Sequence, residues 1–217
     1  MPGEPAVIKR AFDLVVSFCG LLVLSPVMLI CAVLVWLTSE GPVFFRQERM
    51  GRNGKPFHIL KFRSMVQNAP SLGGALTAGR DPRVTRVGAF LRKTKLDELP
   101  QLINVFKGEM SFVGPRPEVR KYVEKYPEDY AELLRVRPGI TDIASLKYRH
   151  ETEILGQYPD PEKAYVEVVL PDKIALGKEY IRRSSLWLDL KLILMTALRM
   201  SESGPVEARP DASQPSA

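Results

Sequence analysis

The most conspicuous pattern is an apolar run near the N-terminus. From Leu14 to Leu37 the chain reads LVVSFCGLLVLSPVMLICAVLVWL, 24 residues, and no charge falls between Asp13 and Glu40. A straight helix of that length rises roughly 36 Å, enough to cross a hydrocarbon core of roughly 30 Å. The run is too long for the apolar part of a secretory leader, and no A-x-A-like cleavage site follows Trp36. Pro26 lies at its middle, where it removes one helical hydrogen bond and crowds the preceding turn. Ser25 beside it can satisfy the carbonyl so freed, which makes a bend tolerable in lipid. Lys9 and Arg10 flank one end; Arg46, Arg49, Arg52 and Lys55 flank the other. The positive-inside rule then favours the cytoplasm for both ends. A helix broken at Ser25-Pro26 that dips into one leaflet and returns satisfies both flanks. Proline also occurs in ordinary spans, so these residues alone leave both readings open.

Beyond Leu37 the pattern changes to short elements. Two apolar-aromatic stretches, VFFRQERMG and FHILKFRSM, are separated by Asn53-Gly54 and predict a β-hairpin. Residues 67–82, rich in Gly, Ala, Asn and Pro, read as a loop. A helical pattern resumes near Val84, with Val87, Phe90 and Leu91 on one face. A second helix is expected from about Leu96 to Lys107, stopped by Gly108. Residues 118–136 read as helical up to the break at Arg137-Pro138-Gly139, and 162–182 as helical with an interruption near Pro171. Residues 184–200, SSLWLDLKLILMTALRM, carry only Asp189, Lys191 and Arg199 as charges. They suit either a core helix or an interfacial helix with Trp187 at headgroup level. The tail from Ser201 has Val206 as its one large apolar residue and is expected to be disordered. No internal repeat is present. The division expected is a membrane anchor over 1–40, a catalytic domain over 41–200 and a tail over 201–217.

Composition narrows the classes. Of 217 residues, 31 are Lys or Arg and 25 Asp or Glu, a net charge of +6, and 45% are hydrophobic, which excludes a disordered or fibrous chain. Cys19 and Cys31 both lie in the apolar run, so no disulfide framework or cysteine-based zinc site is available. Two histidines, His58 and His150, make a histidine-rich metal site unsuitable as an expectation.

Candidate chemistry concentrates over 80–118. Asp97 and Glu98 are adjacent at an expected helix start, with Pro100 in the first turn. In isolation they read as helix-dipole partners contributing about 0.3–1 kcal/mol. Their surroundings change that reading: Arg83, Arg86, Arg92, Lys93 and Lys95 precede them, and Pro115-Arg116-Pro117 follows. Adjacent acids amid cations suit a carboxylate that meets a phosphorylated substrate through a divalent cation. Lys61 and Arg63, two apart on an expected strand, share one face. They are either a solvated, aggregation-resistant edge or a second cationic pair. The prolines beside Arg116 stiffen its backbone, a platform suited to bidentate phosphate contact.

Several motifs together resemble the bacterial sugar transferases, the monotopic phosphoglycosyl transferases that start membrane glycoconjugate assembly. They are KRAFD (9–13), Ser25-Pro26, GPVFFRQERMG (41–51), KFRSM (61–65), DPRVTRVGAFLRKTKLDELPQLINVFKGEMSFVGPRP (81–117) and VRPGIT (136–141). The resemblance implies an α+β, predominantly helical fold. Its parts would be an N-terminal re-entrant helix-break-helix and a compact cytoplasmic catalytic domain with a small β-hairpin and interfacial amphipathic helices. It implies transfer of a sugar-1-phosphate from a UDP-sugar to polyprenol (undecaprenyl) phosphate at the cytoplasmic face of the bacterial inner membrane, with release of UMP. Asp97 matches the family's nucleophile and Glu98 the neighbouring acid linked to Mg²⁺, for which Mn²⁺ can substitute. Arg116 matches the arginine near the substrate phosphates, Lys61 and Arg63 match basic positions near the site, and Ser25-Pro26 matches the helix break. Membrane lipid and downstream glycosyltransferases are the other implied partners. After VRPGIT many members continue with Gly and an aromatic-Gln pair, whereas this chain has Asp142-Ile143-Ala144-Ser145. That departure leaves the sugar unspecified, with Asp142 and Arg149 as pocket-lining candidates. The larger relatives' extra spans and domain have no counterpart in this sequence, which reads as a catalytic core.

Three other functions compete. An inert membrane scaffold sits poorly with an intact Asp97-Glu98 pair. For a nucleic-acid binder, aromatic interleaving is sparse, and anionic lipid accounts for basic charge beside a membrane segment. A membrane phosphatase would share the Asp97 nucleophile and differ only in using water as acceptor.

Overall fold

A computed structural model describes residues 4–74, 76–79 and 81–201. From residue 202 on, the expected tail lies outside the described residues. The chain opens with one long helix, α1 (Glu4–Thr38), which remains helical through Pro26. The break expected at Ser25-Pro26 is therefore not an interruption of helical backbone. The local compensation is present: Pro26 has no N–H for the Leu22 carbonyl, and Ser25 Oγ donates to that oxygen at 2.8 Å. Val15, Leu22, Val23, Leu29, Ile30, Trp36 and Leu37 project outward from α1, as a lipid-facing helix requires.

The hairpin follows as expected. β1 (Phe44–Met50) pairs antiparallel with β2 (Pro56–Phe62), Phe44 opposite Phe62 and Met50 opposite Pro56. At its turn Asn53 (φ 58°) and Gly54 (φ 70°) both take the left-handed conformation that Asn and Gly tolerate best. Within the 67–82 loop sits one helical turn, α2 (Ala69–Leu72). The pattern starting near Val84 becomes α3 (Arg86–Lys93), capped by Thr85 Oγ1 accepting from Gly88 N–H. Leu91 is its buried apolar side chain, beside the buried Gly88, while Phe90 is 54% exposed and does not share the core face. The helix expected over 96–107 divides into a 3₁₀ turn, Leu96–Glu98, and α4 (Gln101–Lys107), which Gly108 closes at φ +85°.

β3 (Ser111–Val113), which the sequence pattern did not reveal, precedes a helical stretch much shorter than expected: α5 (Arg120–Val123) and α6 (Pro127–Leu133). β4 (Gly139–Thr141) then pairs in parallel with β3, Ser111 opposite Gly139 and Val113 opposite Thr141. α7 (Ile143–Lys147), α8 (Glu151–Leu155), α9 (Pro161–Ala164), a π-helical turn (Tyr165–Val169) and α10 (Leu170–Arg183) complete the domain. Helical backbone runs unbroken from α9 through the π-helical turn into α10, so the interruption expected near Pro171 takes the form of that π-helical turn rather than a break. The largest core cluster joins Tyr122, Tyr130, Leu133, Leu155, Tyr165 and Leu170 across these helices.

The last helix, α11 (Leu186–Ser201), divides the two readings of its sequence between its faces. Asp189 and Leu192 are buried, Leu192 against Val113 and Tyr180, whereas Trp187, Leu190, Leu194 and Leu198 are exposed. Spacing of three and four residues gathers the exposed four into one apolar stripe.

α1 is fastened to this domain along its length. Lys9 Nζ donates to Val113 O (2.9 Å), Tyr180 OH (3.0 Å) and the Asp189 carboxylate. Arg10 donates to Val105 O (2.6 Å) and Phe106 O (2.8 Å), satisfying final carbonyls of α4. Asp13 accepts from Ser111 Oγ and Phe112 N–H. Further on, a Cβ at Gly20 would lie 3.4 Å from Leu102, and Cys31 and Val35 pack with Phe62 and Leu91.

Candidate active site

Asp97 and Glu98 lie in the 3₁₀ turn just before α4. Lys95, one step earlier, holds φ 58° and ψ 13°. A non-glycine residue pays on the order of 1–2 kcal/mol for that conformation. The sharp turn delivers the two adjacent acids into different surroundings.

Glu98 is surrounded by cations. Its Oε1 accepts from Lys61 Nζ at 2.8 Å and from Arg116 Nη2 at 2.6 Å. Burial pushes the Glu98 carboxyl up, but the charges of Arg116 and Lys61 overcome it and hold the group well below the usual carboxylate range. Glu98 in turn raises the Arg116 guanidinium against the opposing effect of burial. At Lys61 burial wins and lowers the ammonium, with Glu98 partly offsetting it.

Asp97 is 6% exposed, and its Oδ1 is buried without a hydrogen-bond partner. Burial raises its carboxyl above the ordinary aspartate value, Lys61 opposes the rise, and Glu98 adds to it. A buried carboxylate oxygen without a donor is costly, and such a group outside a core is a candidate for chemistry. Asp97, Glu98, Lys61 and Arg116 all line one cleft of about 2110 Å³. That volume exceeds the roughly 300–1,000 Å³ of ordinary small-ligand pockets and has room for a substrate as large as a nucleotide sugar.

Two expected basic residues part company. β2 ends at Phe62, so Lys61 reaches Glu98 while Arg63 does not continue on the same face. Arg63 is 6% exposed and donates to Ser39 O (2.6 Å), Ser39 Oγ (2.9 Å) and Pro42 O. Its guanidinium ties the end of α1 to β2, and Arg63 also lines the cleft that Lys61, Asp97, Glu98 and Arg116 line. Arg83 is likewise committed, to Asp81 and to the carbonyls of Gly74 (2.9 Å) and Leu76 (3.1 Å). Arg92 takes the place nearer the acids. Burial lowers its guanidinium, the charge of Asp97 opposes that, and its Nε donates to Ser64 Oγ at 2.7 Å. Gly88 permits this approach, since a Cβ there would stand 1.9 Å from Ser64 O. In the sequence Arg92 was one of five neighbouring cations with nothing to single it out. Ser25 and Pro26 lie on exposed positions of α1.

Arg116 follows β3, and its turn is held from both sides. Arg49 donates to Pro117 O (3.1 Å) and Glu118 Oε2 (3.3 Å), while Glu118 also accepts from Tyr165 OH. For a divalent cation, the fit rests on the donors present. Mg²⁺ is commonly held by one or two carboxylates plus substrate phosphates. Asp97 and Glu98 supply two, one with a partnerless buried oxygen. Among the described residues no group of three or more His, Cys, Asp or Glu could hold a metal by itself.

The site is thus an acid pair lining a cationic cleft, with a helix long and apolar enough to cross a membrane fastened alongside. The family model for bacterial sugar transferases matches residues 4–203, and the chain belongs to that family. It is 41% identical over 203 residues to the UDP-glucose:undecaprenyl-phosphate glucose-1-phosphate transferase of Escherichia coli (strain K12), covering 92% of this chain and 41% of that protein. It is 40% identical over 194 residues to the UDP-N-acetylgalactosamine-undecaprenyl-phosphate N-acetylgalactosaminephosphotransferase of Aeromonas hydrophila, covering 88% and 43%. Against the exopolysaccharide production protein PSS of Rhizobium leguminosarum bv. phaseoli the identity is 40% over 200 residues, covering 88% and 94%. The chain thus spans about two fifths of the length of the first two relatives and nearly all of the third.

Proposed function

We propose that this chain transfers a sugar-1-phosphate from a UDP-sugar to undecaprenyl phosphate, releasing UMP, at the cytoplasmic face of the bacterial inner membrane. The observation that carries the reading is the contrast between the two acids: Glu98 engaged by Lys61 and Arg116, Asp97 buried beside it with a free oxygen. Asp97 attacks the phosphorus that bears the sugar. An Asp97 O–P bond forms, the bond from that phosphorus to the oxygen shared with the α-phosphate breaks, and UMP leaves with the electron pair. An oxygen of undecaprenyl phosphate then attacks the same phosphorus, the Asp97 O–P bond breaks, and a polyprenol diphosphate sugar remains for downstream glycosyltransferases. Lys61 and Arg116 neutralise phosphate oxygens during both displacements. Glu98, with Asp97, would hold Mg²⁺ or Mn²⁺, which when bound offsets phosphate charge in front of an anionic nucleophile. The relatives' names differ in the sugar, so the donor is proposed as a class.

The same reading places α1 as a re-entrant element. A 35-residue helix rises roughly 52 Å, yet Lys9 and Arg10 near one end and Val35 near the other pack on a single domain. A helix crossing the bilayer perpendicularly would put those ends on opposite sides of roughly 30 Å of hydrocarbon. The exposed stripe of α11 supplies a second contact with the interface.

The test is a donor-only reaction in detergent or nanodiscs, with Mg²⁺ and then with chelator. Wild type should release about one UMP per site and gain a phosphosugar adduct by intact mass; undecaprenyl phosphate should discharge the adduct. Asp97→Asn should do neither, and chelation should stop the burst. Absence of adduct and burst in active wild-type protein would refute the covalent route.

A further inference from the structure

Asp142 is a buried carboxylate, 2% exposed, that the proposed chemistry does not use. Burying such a group is costly unless its oxygens are well bonded. Here each oxygen takes one backbone N–H. Oδ1 accepts from Ser145 at 2.6 Å, capping α7, and Oδ2 accepts from Arg116 at 3.2 Å. The second bond is the informative one, because helix capping needs only the first.

Its setting explains the geometry. β3 and β4 run in parallel, and just past β3 Gly114 N–H donates to Thr141 O, at the end of β4 (3.1 Å), while Pro115 O accepts from Gly139 N–H, at its start (3.1 Å). Asp142 directly follows β4 and Arg116 lies three residues past β3, and the bond from the Arg116 amide to Asp142 brings the two together. At the far end of the Arg116 side chain, Nη2 reaches Glu98 Oε1 at 2.6 Å and Nη1 lies 3.4 Å from Ile140 O. Pro115 and Pro117 restrict the neighbouring backbone but supply no acceptor for the Arg116 amide.

We infer that Asp142 is a positioning residue for Arg116: it fixes the arginine's backbone so that the guanidinium meets Glu98 and the donor phosphates in one register. The inference rests on the proposed role of Arg116 in binding donor phosphate. Misplacing such a group by about 1 Å can cost on the order of 100-fold in rate.

Two substitutions separate positioning from capping. Asp142→Ser keeps an oxygen for the Ser145 amide, serine being a good N-cap, but has no second oxygen for Arg116. Asp142→Asn also keeps a capping oxygen, yet turns an NH₂ toward the Arg116 N–H. Thermal midpoint, donor KM and single-turnover UMP release would be measured for each, alone and combined with Arg116→Ala. Positioning predicts a nearly unchanged midpoint for Asp142→Ser and a roughly 10- to 100-fold fall in donor-only rate for both variants. It also predicts that neither variant adds a further loss to Arg116→Ala. Wild-type kinetics for both would overturn the inference, as would losses that multiply with that of Arg116→Ala. So would a lowered midpoint with an unchanged rate per folded molecule. If Arg116→Ala itself leaves donor KM and rate unchanged, the reading of Arg116 fails instead, and with it the premise.

Discussion

Adjacent acids of nearly identical chemistry should respond in opposite directions to the same isosteric change. Glu98→Gln removes a negative charge shared by Lys61 and Arg116, whose side chains are 23% and 32% exposed. Breaking a buried ion pair from one side costs about 3–5 kcal/mol, and the partial exposure of both cations lowers that to about 2–3 kcal/mol. At roughly 2–4 °C per kcal/mol for a domain of this size, the midpoint should fall by roughly 4–12 °C. Asp97→Asn instead removes an anion whose Oδ1 has no partner and whose ionisation burial opposes. Its stability at pH 7 should hold or rise, by up to about 1–2 kcal/mol, and its midpoint with it. Both variants should lose turnover. Unfolding followed by circular dichroism, in one detergent and at one scan rate, makes the comparison. Equal shifts in the same direction, or an unchanged midpoint for Glu98→Gln, would refute the division of roles.

The donor-only rate should climb with pH through a value above 3.8, because burial raises Asp97 and the attacking species is its anion; a plateau reached below that value would contradict it. In stability terms the two acids again oppose each other. Asp97's contribution is full below the unfolded value of 3.8 and is lost as pH rises through its raised folded value, whereas Glu98's is present above 4.5 and lost as pH falls through its depressed one. Arg63→Met should lower the midpoint and folded yield while leaving donor KM of the folded fraction within about twofold, since its guanidinium serves Ser39 and Pro42; a large rise in KM at unchanged stability would return Arg63 to the substrate. In a background with Cys19 and Cys31 replaced by Ala, cysteines at positions 7 and 55 should label from the same side of intact membrane vesicles, and labelling from opposite sides would exclude the re-entrant arrangement.

What could be read in advance follows the range of the interactions. The apolar helix, the Asn53-Gly54 hairpin and the Gly108 stop are local signals, each written within a few residues. The Asp97-Glu98 pair was recognisable because its motif is contiguous. The parallel β3–β4 pair was not, because strands of three residues carry no usable period and their pairing joins residues 28 apart. Lys61 and Arg63 looked equivalent because alternation assumes the strand continues, and β2 ends between them. Asp142 and Arg149 stood out in the sequence only as a departure after VRPGIT, and both line the cleft; the bond from Asp142 to Arg116 depends on that same invisible strand pair. Lys9 and Arg10 read as topogenic charges, but their donors are consumed by Asp189, Val113 and the end of α4.

On the proposed function, that consumption bears on how the site would meet a lipid acceptor. Were the flanking charges free, α1 could change depth or tilt independently of the catalytic domain. Instead Lys9 holds β3 and α11, Arg10 holds the C-terminal end of α4, and Asp13 holds the segment around Ser111. The chain entering α4 carries Asp97 and Glu98, and the chain leaving β3 carries Arg116. The elements that fix the depth of the apolar helix are therefore those that carry the acids and the arginine. On the proposed function, a polyprenol chain confined to the bilayer would offer its phosphate at one depth, with the proposed nucleophile Asp97 held at a set height from the same helix. Loosening the membrane attachment through Arg10→Ala should then impair discharge of the adduct by undecaprenyl phosphate more than its formation from a soluble donor. An equal loss in both half-reactions would show that Arg10 supports only the fold of α4.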